Sequence, residues 1–241
     1  MQFLFLFIAI FLEGFSVIAG IYYLKKMPND LSNKLLTYFL LITFTVEITG
    51  LIPAIIYHNE ALHHLKDTVW YTNFWLFNPY LVVSFAFYCY YFGRSLQSRI
   101  LKNILNYSVI VFVISSFLIL IFSDVLFVSH SYFTLFFGVA LLFLAISFYY
   151  YELLRDEKLL DIKRSVKFYV SVAFLLFNLI SLPLWIYFKY FSNTISPEFV
   201  KLYQSIFYLS NVLLYSTYIF AFIYCAQQKQ FPVINQNKSV P

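Results

Sequence analysis

The chain has 241 residues, of which 62% are hydrophobic and 11% charged, with a net charge of +5 at pH 7. A soluble domain carries about 25% charged residues; a chain this apolar cannot cover itself with polar surface, so its solvent must be lipid. The 31 Phe and 22 Tyr suit a bundle with aromatic interfacial belts, and the placement of the basic residues explains the charge without nucleic acid.

A helix needs about 20 apolar residues to cross the hydrocarbon core. Seven segments qualify, at about 3–24, 36–57, 70–92, 103–122, 132–153, 166–187 and 200–225. They predict an all-α, polytopic membrane protein: one seven-helix transmembrane bundle over 1–226 and a short polar cytoplasmic tail over 227–241. The runs are continuous and too long for the alternating strands of a membrane barrel.

In the first segment Glu13 sits at the centre, with Ala9, Ser16 and Gly20 on the same helical face. The second repeats the device with Thr43, Glu47, Gly50 and Ala54. Small residues at such spacing let helix backbones approach closely in lipid. The connection that follows reads HNEALHH, giving His58, His63 and His64, and His130 falls on the same side. Imidazole and carboxylate suit zinc or copper, so these four histidines are candidate metal ligands. The pattern is not HExxH, because Asn59 precedes Glu60.

The third segment brings Asn78 beside Pro79. After the fifth comes YELLRDEKLLDIKRSVK, residues 151–167, whose leucines alternate with charges at helical spacing. It is expected to prolong the fifth helix as an amphipathic stub. Leu159, Leu160 and Arg164 are its candidate partner-docking residues. The sixth segment offers Asn178, Ser181 and Trp185, and the seventh a ribbon of Gln204, Tyr208, Asn211, Tyr215 and Tyr218. Cys89 and Cys225 form no CxxC pattern and read as apolar fillers.

Orientation follows from Lys and Arg. The first, third and fifth connections plus the tail hold 13 of them, against 3 on the other side. The positive-inside rule then puts the N-terminus outside and the C-terminus in the cytoplasm. Only Met1 and Gln2 precede the first segment, and Lys25-Lys26 follow it. A signal peptide has the reverse arrangement, so this helix is expected to be retained.

Glu13, Glu47, Asn78, Asn178 and Asn211, with Tyr215, thus share roughly one depth. A charge at a helix centre costs roughly 2.5–3.5 kcal/mol on insertion scales, and such residues face the bundle interior or a wet cavity. With no Lys or Arg at that depth, at least one Glu is expected to be neutral at rest. These six are the candidate ligand- or proton-binding residues. No catalytic residue, enzyme activity or cofactor is expected.

Several families can be tested against these residues. A retinal protein needs a lysine in mid-last-helix, where this chain has none. A shift of 131 residues lays Ala9 on Ala140, Ser16 on Ser147 and Glu47 on Asn178, and Asn78 and Asn211 lie 133 apart. In this the chain resembles sugar-exporting SWEET transporters, which implies a 3+1+3 plan and a small solute. Glu13, Glu47, the YYYELLRDE stretch and the Asn-bearing last helix resemble a loose group of small bacterial seven-helix proteins. That resemblance implies a sensory input module of the inner (plasma) membrane. The favoured expectation is a receptor-like sensor that binds a small ligand or proton and acts through a cytoplasmic or membrane signalling partner. The alternative is a small-solute or proton-linked transporter; a third is a structural membrane subunit.

Overall fold

A computed structural model describes residues 2–155, 162–186 and 197–228. Helices run over Gln2–Lys26 (α1), Leu31–Thr49 (α2), Ile52–His58 (α3), Phe74–Gly93 (α4), Arg99–Phe122 (α5), Val125–Val128 (α6), Tyr132–Leu153 (α7), Val166–Ile186 (α8) and Pro197–Gln228 (α9). There is no strand among the described residues. Among the described residues six helices are long and apolar enough to cross a membrane: α1, α2 taken with α3, α5, α7, α8 and α9. This is the build of a multi-pass helical membrane protein. The remaining long helix, α4, spans 20 residues but is diluted by Asn78, Pro79 and four tyrosines.

Lipid is the only solvent that fits the surface. Large apolar side chains stand bare along α5, where Val111 is 65%, Ile121 69% and Phe122 82% exposed. In water, each fully exposed aliphatic or aromatic side chain would forgo roughly 1.5–3 kcal/mol of burial. The opposite face of α5 buries Leu105, Phe112, Ser116 and Leu120.

The helices follow chain order around a ring. α1 packs on α2 and α9, α9 on α8, and α4 on α2, α7 and α5. The ring is therefore α1, α2, α4, α7, α8 and α9, with α5 outside it against α4 and α7. Glycines allow the tightest approaches. A Cβ on Gly138 of α7 would stand 2.2 Å from the Phe85 ring of α4, and one on Gly20 of α1 2.6 Å from the Thr37 hydroxyl of α2.

The ring departs from a 3+1+3 plan. In two three-helix units each helix would pack on both others of its half. Here α1 barely meets α4, and α7 barely meets α9, while α1 packs extensively on α9.

Two helix boundaries correct the sequence expectations. The second segment is not one helix. α2 ends at Thr49, and Pro53 stands in the first turn of α3. Proline has no N–H for the carbonyl four residues back, here that of Thr49, and its ring clashes there. The chain turns through Gly50 and Leu51, whose N–H groups bond Val46 O at 2.8 Å and Ile48 O at 3.1 Å. The break resets the helical phase, so Ala54 is exposed rather than continuing the Thr43–Glu47–Gly50 face.

The second correction concerns the stub. α7 ends at Leu153, where the Leu154 N–H caps back to Tyr150 O at 2.9 Å. Glu152 then turns its carboxylate to the start of α5, accepting from Gln97 N at 2.7 Å and Ser98 N at 2.9 Å. Charge-assisted bonds to orphan amides hold this corner. The fifth helix thus ends at Leu153 and does not continue into Leu154 and Arg155. Leu159 and Leu160 lie outside the described residues.

Candidate functional site

A cavity of about 440 Å³ occupies the middle of the ring. Its floor is at mid-bundle, at Tyr88 and Tyr215, and it runs towards the end that carries Asn73, His130, Trp185 and Tyr203. Cavities of this size accommodate small organic ligands.

Four of the six predicted layer residues line it: Glu47, Asn178, Asn211 and Tyr215. Each comes from a face set by helical spacing. On α9, Gln204, Tyr208, Asn211 and Tyr215 all face the cavity, as their 4, 3, 4 spacing requires. On α8, Asn178, Ser181 and Trp185 do the same. Glu47 stands in the last turn of α2, just before the break. Gly50 lets the Phe77 ring approach closely there, since a Cβ would stand 2.7 Å from it.

Glu13 is one side chain away. It is buried, at 2% exposure, and the Tyr215 hydroxyl hydrogen-bonds its carboxyl. Its Oε1 atom is buried with no hydrogen-bond partner among the described residues. Buried polar atoms are nearly always bonded, to protein or to ordered water, so this oxygen is available to a further donor. The Ser181 hydroxyl and the Gln204 Oε1, both on the cavity wall, are orphaned in the same way.

Both asparagines are oriented by their own helices. Asn178 Nδ2 donates to Phe174 O at 2.8 Å, and Asn211 Nδ2 to Phe207 O at 2.9 Å. That assignment is forced, since a carbonyl can only accept. It leaves each amide oxygen for the cavity. The tyrosine hydroxyls are largely committed: Tyr80 donates to Thr43 Oγ1 at 2.8 Å, and Tyr88 shares a bond with Tyr218 at 3.1 Å. No donor or basic side chain among the described residues engages the Glu47 carboxyl.

Asn78 is not part of this cavity. Fully buried on α4, it donates to Val125 O at 3.0 Å and Ser129 O at 2.9 Å, and accepts from Ser131 N at 3.0 Å. Its task is to pin α6 and the entry to α7 against α4. Depth alone had grouped it with the others.

Among the described residues no three His, Cys, Asp or Glu side chains converge on a metal-type cluster. His58, His63 and His64 sit at the end of α3 and on the 3-10 turn Glu60–Leu65. His130 lies apart at the cavity end, its ring edge-on to Phe74 and Trp185 at 4.8 Å each. Burial pushes its pKa down to about 4, so it is a neutral, aromatic wall at pH 7.

A second polar cluster lies at the opposite end of the bundle. The Tyr23 hydroxyl donates to Asp30 at 2.8 Å, Asp30 caps α2 through Asn33 N at 3.1 Å, and the Tyr91 hydroxyl donates to Asn33 Oδ1 at 2.9 Å. Lys167, almost buried, donates to Ser95 and stands 4.7 Å over the Tyr91 ring. A cavity of about 580 Å³, larger but more polar in its walls, adjoins this cluster and includes Arg164. Asp30 as an N-cap was legible in Pro28-Asn29-Asp30 before an apolar run; its union with Tyr91 and Lys167 was not.

The chain gives no match to a protein-family model, to a curated protein or to a solved structure.

Proposed function

We propose that the protein crosses the bilayer seven times, α4 supplying the seventh crossing at the centre of the bundle, with its N-terminus outside. In this reading it is a receptor-like sensor of a bacterial inner membrane. A small ligand enters the ring cavity from the outer end, and the inner end passes the change to a signalling partner near Arg164. One observation carries the reading: Glu47, Asn178, Asn211 and Tyr215, on three helices, wall one cavity of about 440 Å³, and on the same wall the Ser181 hydroxyl and Gln204 Oε1 have no hydrogen-bond partner among the described residues. A purely structural network would have bonded them to one another. The inner polar cluster joins α1, α2, α4 and α8, so a ligand that shifts the ring is felt there.

A transporter using the same cavity is the second reading. The break in α2 beside Glu47 favours it, because interrupted helices at mid-depth line many transport sites. Purified protein in proteoliposomes separates the two. Saturable ligand binding without ligand flux or proton movement supports the sensor. Flux that is lost in Glu47→Gln supports the transporter and overturns the sensor.

A further inference from the structure

We infer that the ligand of the ring cavity is an organic cation, a protonated or quaternary amine with an apolar body. This rests on the reading of the cavity as a ligand site and adds the chemical class. The first observation is an imbalance of charge. Glu47 faces the cavity and Glu13 stands directly behind Tyr215, yet no Lys or Arg among the described residues lines the cavity. His130, at its end, is neutral at pH 7. An anionic ligand would meet carboxyl groups and no cation among the described residues; a cation would favour the ionised carboxylate and pair with it.

The second observation is an imbalance of hydrogen bonding. Most of the free groups are acceptors: the Glu47 carboxyl, the amide oxygens of Asn178 and Asn211, and the orphaned Oε1 of Gln204; the orphaned Ser181 hydroxyl can both donate and accept. The Tyr80 hydroxyl proton goes to Thr43, and the Tyr88 hydroxyl shares its bond with Tyr218. An acceptor-rich cavity selects a donor, and an ammonium group offers up to three N–H donors with no acceptor.

The third is the wall itself. Eleven of the 29 described lining residues are Phe, Tyr or Trp. Aromatic faces attract cations, by roughly 2 kcal/mol or more when the cation is desolvated. They also cover an apolar body, which a hydrated inorganic ion lacks. Among the described residues no metal-type cluster competes for this role.

The test uses three probes of one shape on the full-length protein in detergent: 2-phenylethylammonium, neutral 2-phenylethanol and anionic 3-phenylpropanoate. Binding is read by thermal shift and calorimetry. The cation is expected to bind at least tenfold more tightly than either isostere, and Glu47→Gln to remove that preference. Gln keeps the side chain's shape, so folding is retained; an unchanged melting profile without probe verifies it. Ser181→Phe and Leu182→Trp fill the cavity and are expected to abolish binding of every probe. If the alcohol or the carboxylate binds as well as the cation, and the filling variants block it, the cavity stands and the cation assignment is overturned. If no probe binds, or binding survives both filling variants, the cavity reading and the cation assignment fall together.

Discussion

Tyr88 of α4 and Tyr218 of α9 share a hydrogen bond of 3.1 Å across the ring, between helices on opposite sides of it. Tyr88 also stacks on Phe174 of α8, ring centroids 3.8 Å apart. This crossbar is the floor of the ring cavity. Removing one hydroxyl strands the other in the core, at a cost of roughly 1–3 kcal/mol. Tyr88→Phe and Tyr218→Phe are each expected to lower the melting temperature in detergent. The double variant should lose less than the sum of the two. Strict additivity in that cycle would mean the hydroxyls do not interact.

The two carboxylates should behave differently. Glu13→Leu takes away the partner of the Tyr215 hydroxyl and should destabilise by roughly 1–3 kcal/mol. Glu47→Leu removes a group without a bonded partner and should leave stability unchanged or raised. Both Gln variants should fold. Denaturation of the four purified variants checks this, and equal melting of Glu13→Leu and Glu47→Leu would contradict it.

Asn78 should be a stability residue. Asn78→Leu strands the Ser129 carbonyl and the Ser131 amide at the α6–α7 corner, each worth roughly 1–3 kcal/mol when left unbonded, and leaves Val125 O with only the Ser129 N–H. A loss of several kcal/mol is expected. Asn78→Asp keeps the acceptor for Ser131 but faces Val125 O and Ser129 O with oxygen, so it should be nearly as damaging. Thermal melts and protease resistance of the 123–131 connection are the measurements.

His130 predicts an acid sensitivity with a definite sign. Its folded pKa, about 4, lies below the ordinary 6.5. The unfolded chain therefore binds the proton first, and stability falls as the pH drops from about 6.5 towards 4, by roughly 1–3 kcal/mol at full effect. Above pH 7 the group contributes no pH dependence. His130→Phe keeps a ring against Phe74 and Trp185, and its melting temperature should decline less over that interval. Parallel wild-type and variant curves would show that His130 is not the titrating group.

Sidedness is testable directly. A cysteine at Ser129 should react with an impermeant maleimide from outside the cell, and one at Ser95 only after the membrane is opened. The reverse pattern would invert the orientation drawn from the 13-to-3 bias of Lys and Arg.

The sequence by itself determined the helical class, the placement of the long helices within a few residues and the inward faces of α8 and α9. Each follows from local quantities: apolar length against bilayer thickness, and a spacing of 3.6 residues that fixes where a side chain points about its own axis. Hence Glu47, Asn178, Asn211 and Tyr215 could be read as one inward layer. Only the tertiary structure decided what each face meets. Asn78 shares their depth but turns to α6 and the α7 entry, because α4 has neighbours on several sides and depth does not choose among them. The break at Gly50 ended the small-residue face before Ala54, and Glu152 left the expected stub to cap α5. Tyr23, Asp30, Tyr91 and Lys167 are scattered over 145 residues and meet only because α1, α2, α4 and α8 converge at one end of the ring. Which helices are neighbours is settled by long-range packing, and no local spacing carries that information.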